Sequence, residues 1–299
     1  MRLLAFALLV GVSCDRPLPG EPPVQSIRAD DIRVHQAVLA SDELEGRGAG
    51  TDGGRKASEY IAARVKAWGF QPAGGDGTFF QPFGRGRRNV AAWWPGTAGD
   101  EYVVVGAHYD HLGRKGDQIF PGADDNASGT STVLDVAEAV SKTKFRRGVL
   151  CLWFDEEESN LAGSRWWTAH PPRPLDRCVA MVNCDMVGRN EIAKVFCGVE
   201  KDGKGAPRYP KWAALVRETE SRFGAAFDWS EFDPYIKRSD HWPFMEKGVP
   251  AMFFTAGLHA DYHKESDRLE KINFAKEERI GRMIFSILSA AADRQEPLK

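Results

Sequence analysis

GVLCLWFDEEESNLAGS, residues 148–164, runs six apolar residues straight into four acids and then a Gly-Ser pair. A strand with one wet face alternates apolar and polar side chains, so a run apolar at every position from Val149 to Phe154 belongs to a sheet covered on both faces. Solvated loop acids are the ordinary source of a run such as Asp155–Glu158, but this strand is too apolar to end in plain surface. Neighbouring residues there point opposite ways, which lets one glutamate ligate while the next reaches water.

The same pattern repeats outward from this stretch. Strand candidates are Asn89–Trp93, Tyr102–Ala107, Val149–Phe154, Val179–Cys184, Val195–Cys197 and Ala251–Phe254. Helix candidates are Ser128–Val140, Leu161–Ala169, Lys211–Phe223, His241–Lys247 and Phe274–Ala292. Two helices precede them, one capped by Asp30 and Asp31 and carrying Ile32, Val34, Val38 and Leu39, the other carrying Ala57, Ile61, Val65 and Trp68. Strands alternating with helices give an α/β sandwich with a largely parallel sheet. No repeat and no second domain is visible.

In open α/β sheets ligands bind outside the carboxyl ends of the strands, and His108, Glu157, Glu158 and Asp185 each follow an apolar strand directly. His108 and Asp110 are two residues apart, so in extended chain both point to one side, and the carboxylate can fix the tautomer of a metal-bound imidazole. GADDNASG at 122–129 puts Asp125 just before a helix, where it could bridge two metals; capping by Asp124–Ser128 is compatible with that. NCDMVG supplies Asp185, which alone would read as a turn cap, and DYHKESD supplies His263 from a loop. Five of the seven histidines (His108, His111, His241, His259, His263) fall in or near three of these segments. Zinc in catalytic sites takes such imidazole and carboxylate donors, so together the segments describe a two-zinc hydrolytic site.

The 299 residues carry 40 basic and 42 acidic side chains, a net charge of −2, so no long-range field favours nucleic acid or an anionic membrane. Small, locally recognised substrates fit better. Residues 1–14 read as an export signal, with Arg2, an apolar run Leu3–Val12 and small residues up to Cys14. That run is shorter than the roughly 20 apolar residues a membrane span needs. VGVSC resembles a bacterial lipobox, departing from it at Gly11, so Cys14 is the expected lipidated residue and any membrane attachment would run through it. Residues 15–29, rich in proline up to Gln25, read as a tether, and 30–299 as one catalytic domain. Cys151, Cys178, Cys184 and Cys197 lack zinc-finger spacing and read as buried free thiols.

From LEGRGAGTDGG at 44–54, through the segments above, to RSDHWPFMEKGVPAMFF at 238–254 and the C-terminal helix, the chain resembles the co-catalytic dizinc aminopeptidases. The resemblance implies a three-layer α/β/α sandwich with a mixed, largely parallel sheet, two zinc ions per chain and peptide substrates. It implies that His108, Asp125 and Asp185 hold one zinc and that Asp125, Glu158 and His263 hold the other, with Asp125 as bridge. In the family the second member of a Glu-Glu pair stands five residues before a Gly-Ser glycine. Counting from Gly163 makes Glu158 the ligand, Glu157 the general base acting on a zinc-bound water, and Glu156 a bystander. Asp110 matches the carboxylate behind the first histidine, and Tyr235 an oxyanion-stabilising tyrosine. A side-chain pocket would draw on Trp229, Phe232, Tyr235, Trp242 and Leu258 and favour apolar N-terminal residues. Glutaminyl-peptide cyclotransferases share related segments but use one zinc, and some non-catalytic ectodomains share the fold; the full GADDNASG and the complete ligand set favour the peptidase.

Overall fold

A computed structural model describes residues 23–192, 194–223, 227–228 and 235–299. The export signal, Cys14, most of the tether, Trp229 and Phe232 lie outside the described residues. The helices are α1 (Ala29–Leu39), α2 (Asp52–Ala67), α3 (Gly129–Ser141), α4 (Ala162–Ala169), α5 (Pro210–Arg222), α6 (His241–Glu246) and α7 (Phe274–Asp293). The strands are β1 (Gln71–Pro72), β2 (Phe80–Pro82), β3 (Arg88–Trp94), β4 (Tyr102–His108), β5 (Arg114–Lys115), β6 (Gln118–Ile119), β7 (Gly148–Phe154), β8 (Cys178–Cys184), β9 (Val195–Val199), β10 (Phe227–Asp228) and β11 (Ala251–Thr255).

One sheet runs β1-β3-β7-β4-β8-β11-β9-β10, with β2 also on β3. Its centre, β7-β4-β8-β11, is parallel; β3 joins β7 and β9 joins β11 antiparallel. The mixed α/β/α sandwich is borne out, with the antiparallel strands at the flanks. Alternation within each central strand feeds two cores. Val103 and Val105 of β4 and Val149, Cys151 and Trp153 of β7 face the thick layer of α1, α2, α3, α5 and α7. Val104, Leu150, Leu152 and Phe154 face the thin layer of α4 and α6, against Trp167 and Phe244. This burial is why β4 stays free of charged and amide side chains until His108, and β7 through Phe154.

Three expectations need correction. Asp30 and Asp31 sit in the first turn of α1 and do not cap it; the cap position is Arg28, whose guanidinium pairs with Asp31 at 3.1 Å. Acids in a first turn still complement the helix dipole. Val34 is exposed, and α1 buries Ile32, His35, Gln36 and Leu39 instead. The tether also ends earlier than residue 29. Pro23–Ser26 form a short helical turn, and Ser26 and Ile27 are buried, Ile27 within the main core. The four cysteines of the domain are free and buried, as expected.

Candidate metal centre

The carboxyl ends of β4, β7, β8 and β11 open onto one crevice of about 340 Å³, whose wall includes Asp125, Glu157, Glu158, Asp185 and His263. β4 delivers His108 at its last residue, fully buried. Its Nδ1 meets the Asp110 backbone carbonyl at 3.2 Å, with Asp110 Oδ1 3.5 Å away, which leaves Nε2 facing Asp185 Oδ1 at 3.3 Å and Asp125 Oδ1 at 3.5 Å. Asp125 lies in a wide turn, Ala123–Ser128, that ends on α3. Asp267 Oδ2 fixes this turn by accepting from the Asp124 and Asp125 amides at 2.9 and 3.1 Å. The second Asp125 oxygen lies 3.1 Å from His263 Nε2, and Glu158 Oε2 lies 3.0 Å from the same nitrogen.

Tetrahedral zinc with bonds of about 2.0–2.1 Å holds its ligand atoms roughly 3.3 Å apart. The distances from His108 Nε2 to Asp125 and Asp185 match that spacing. His263 Nε2 is a buried atom without hydrogen-bond geometry to either carboxylate beside it, as expected of two ligands aimed at a shared ion. The described residues thus offer two groups of metal-type donors that share Asp125: His108, Asp125 and Asp185, and, around Glu158, His111 and His263.

Electrostatics point the same way. Burial would lower the His108 pKa, but Asp185 and Glu157 and the contact with Asp110 raise it well above the imidazole range. His263, despite partial burial, is pushed up to about 10 by Asp125 and Glu158. Burial and Glu158 raise Asp125 to about 6. Burial and the carboxylates of Asp185, Asp240 and Glu158 raise Glu157 well above the usual range. So many acids lining one crevice draw protons onto their neighbours, and the same field favours cations.

The four acids of the run have separate surroundings. Asp155 is buried and accepts from the Arg88 amide at 3.0 Å. Glu156, at φ 56°, turns out to an ion pair with Arg87 from the GRGRR turn. Glu157 lines the crevice, and Glu158 joins Asp125 and His263. Glu157 is also anchored through its backbone, donating to Asp110 Oδ1 at 3.0 Å.

Other expectations fare unevenly. Tyr235 lines the crevice, its ring 6.2 Å from that of Phe196. Leu258 lines it as well, whereas Trp242 packs against the thin-layer core beneath, with Lys237 Nζ 4.9 Å from its ring centre. His241 is buried and stacked on Phe253 at 4.6 Å, and burial holds its pKa down at about 3. His259 faces Asp124 Oδ2 at 3.2 Å, while Asp124 Oδ1 accepts from Gly188 N at 2.7 Å. These two histidines cluster in sequence with the others but stay out of the crevice.

Sequence reasoning left two residues without a role. His111 is buried with Nδ1 2.8 Å from Glu158 Oε1. Tyr262 lines the crevice stacked on His263, ring centres 3.8 Å apart, and burial together with Asp125 and Glu158 raises its pKa, so it stays a neutral donor. In sequence His111 stands three residues after His108 and Tyr262 just before His263, so both lie beside expected ligands; only the fold shows which way they face. The non-glycine residues Glu156, Asn160, Leu161, Met186 and His263, all near this crevice, adopt φ of 56–62°, backbone strain of the kind that collects at functional sites.

An α/β/α sandwich whose central strand ends carry two donor sets joined by one carboxylate has the build of a metallohydrolase. More narrowly, the chain belongs to peptidase family M28, which matches residues 89–288. It is 25% identical over 262 residues to leupeptin-inactivating enzyme 1 of Streptomyces exfoliatus, covering 85% of this chain and 54% of that protein. It is 31% identical over 199 residues to a probable leucine aminopeptidase of Trichophyton verrucosum, covering 63% of this chain and 53% of that one. The chain thus spans about half the length of these curated relatives. Among solved structures it resembles BSAP, a zinc aminopeptidase from Bacillus subtilis, with TM-score 0.70 and 16% identity over 90% of this chain and 96% of that one. Porphyromonas gingivalis glutaminyl cyclase shares the fold at TM-score 0.66 and 20% identity, over 87% and 97%.

Proposed function

We propose that the chain is a two-zinc aminopeptidase that releases N-terminal residues from peptides. The observation that carries this reading is the placement of Asp125, with one oxygen facing His108 and the other facing His263, so that one carboxylate serves two donor sets. His108, Asp125 and Asp185 would hold one zinc; Asp125, Glu158 and His263 the other. Bound zinc supplies Lewis-acid polarisation of a peptide carbonyl and of water.

The protein's own groups supply the rest. Glu157 is the residue that accepts a proton from water and returns it to the leaving amine, a role suited to a carboxyl whose proton affinity burial has raised. Asp110 holds that glutamate by its amide and orients His108 at the same time. Tyr262 and Tyr235 bring hydroxyl donors to the crevice, where charge develops on the carbonyl oxygen. Leu161, Met186, Phe253 and Leu258 give the wall an apolar section for the first side chain. The substrate's free α-amine is cationic and meets Asp125, Glu157 and Asp185.

The shared fold does not separate this from cyclotransferase chemistry; the second donor set around Glu158 supports the two-zinc reading, since a one-zinc enzyme needs only one set of ligands. The test is release of free amino acids from unblocked short peptides by the zinc-loaded protein. N-acetylated peptides are expected to resist; equal cleavage of both would discard the amine site. The export pattern of residues 1–14 supports a lipid anchor at Cys14, and no helix among the described residues is long and apolar enough to cross a membrane. A Cys14→Ser form that fractionates with membranes like the wild type would contradict the anchor.

A further inference from the structure

We propose that His111 is a positioning residue that holds Glu158 to one oxygen at the second zinc, an inference that rests on the two-zinc reading. An ionised carboxylate only accepts hydrogen bonds, so the 2.8 Å contact from His111 Nδ1 to Glu158 Oε1 fixes the proton on Nδ1. That oxygen then carries the imidazole hydrogen bond, and Oε2, 3.0 Å from His263 Nε2, is the freer of the two to face a metal. The contact with Asp125 Oδ2 is 3.8 Å, too long for a hydrogen bond, so His111 discriminates between the two carboxylates of the site.

The ring is built into place. His111 is 2% exposed and its Nε2 has no hydrogen-bond partner among the described residues, so the bond to Glu158 is the side-chain hydrogen bond that sets the ring. Its backbone bridges to Gly48, and its amide donates to Arg47 O at 3.3 Å. Arg47, wholly buried, binds the carbonyls of Tyr109, Pro121 and Gly122 at 2.8, 2.7 and 2.9 Å. The chain on both sides of His111 is therefore tied to one guanidinium. Gly122 completes the seat, because a Cβ there would lie 2.5 Å from ring atoms of His111. A hydrogen-bonded partner of this kind typically alters metal affinity about 10- to 100-fold when removed.

The experiment compares zinc-loaded wild type with His111→Ala, His111→Phe and His111→Asn, following zinc retained per chain as chelator concentration rises. Phe keeps the buried ring volume should Ala fail to fold, and the Asn side-chain amide offers an N–H near the position of Nδ1. The Ala or Phe variant is expected to lose one zinc at about 10- to 100-fold lower free chelator while the other follows the wild-type curve, and Asn is expected to restore most of the difference. A role in packing alone would lower the melting temperature without splitting the two steps. Both steps at wild-type positions in a folded Phe variant, both shifted together, or Asn no better than Phe would overturn the proposal. A wild type that takes up a single zinc would instead overturn the two-zinc reading, and with it the site His111 serves.

Discussion

The Asp110 carboxylate accepts a 3.0 Å hydrogen bond from the backbone amide of Glu157, so the side chain behind the first histidine also sets the position of the residue assigned as base. The same oxygen lies 3.5 Å from His108 Nδ1. One buried carboxylate thus couples the ends of β4 and β7. Asp110→Asn keeps the shape but gives up the charge facing both N–H groups. It is expected to lower zinc affinity about 10- to 100-fold and to lower kcat as well, even at saturating zinc. Unchanged kcat in the zinc-saturated variant would separate Asp110 from Glu157.

The three consecutive glutamates should respond differently to the same substitution. Glu157→Gln should keep both zinc ions and lose about 10²- to 10⁴-fold in kcat, the usual range for a general base. Glu158→Gln should lose zinc. Glu156→Gln, which breaks only the pair with Arg87, should leave zinc content alone and alter stability by at most about 1 kcal/mol. A Glu156 variant more damaged in catalysis than Glu157→Gln would shift the register by one.

The central strands were legible in sequence because burial on both faces leaves an unmistakable apolar run, and polar residues within four positions of those run ends, Glu157, Glu158 and Asp185, line the crevice. β1, β2, β5 and β6 were not, being two- or three-residue edge pieces with no periodicity to read. His241 and His111 show the limit more sharply. Both neighbour an aspartate in sequence, yet one stacks on Phe253 in the core and the other meets Glu158, 47 residues away. Direction of this kind is fixed by packing, not by spacing. Trp242 failed as a pocket residue for the same reason.

Side-chain preference should follow the apolar wall. Burying a substrate Leu or Phe side chain against Leu161, Met186, Phe253 and Leu258 contributes roughly 1.5–3 kcal/mol, about 10- to 100-fold in kcat/KM. Lys237 and Arg238 also line the crevice, but both are exposed and their pull on acidic side chains is screened by solvent and salt. A kcat/KM series over Leu-, Phe-, Asp- and Glu-terminal peptides checks this, and a preference for the acidic pair would reassign the wall to the two cations.

Stability should fall in mild acid through His35. Its Nδ1 meets the Tyr60 hydroxyl at 2.7 Å, and burial, then Arg64, lower its pKa from 6.5 to about 4. Between those values the unfolded chain binds the proton and the folded one resists it, so stability is fully present above pH 6.5 and is lost as pH falls toward 4. The slope is about 1.4 kcal/mol per pH unit, roughly 3 kcal/mol across the window. Denaturant midpoints of wild type and His35→Gln at pH 7 and pH 5 give the double difference; equal pH sensitivity in both would remove His35 as the source.

Zinc titration of the metal-stripped protein, with activity on an unblocked Leu peptide followed at each addition, tests the central claim most directly. If Asp125 bridges two ions, binding saturates at two equivalents per chain and full activity is reached only with the second. Full activity at one equivalent, with no second ion taken up, would contradict the bridged site and move the chemistry to that of a one-zinc enzyme.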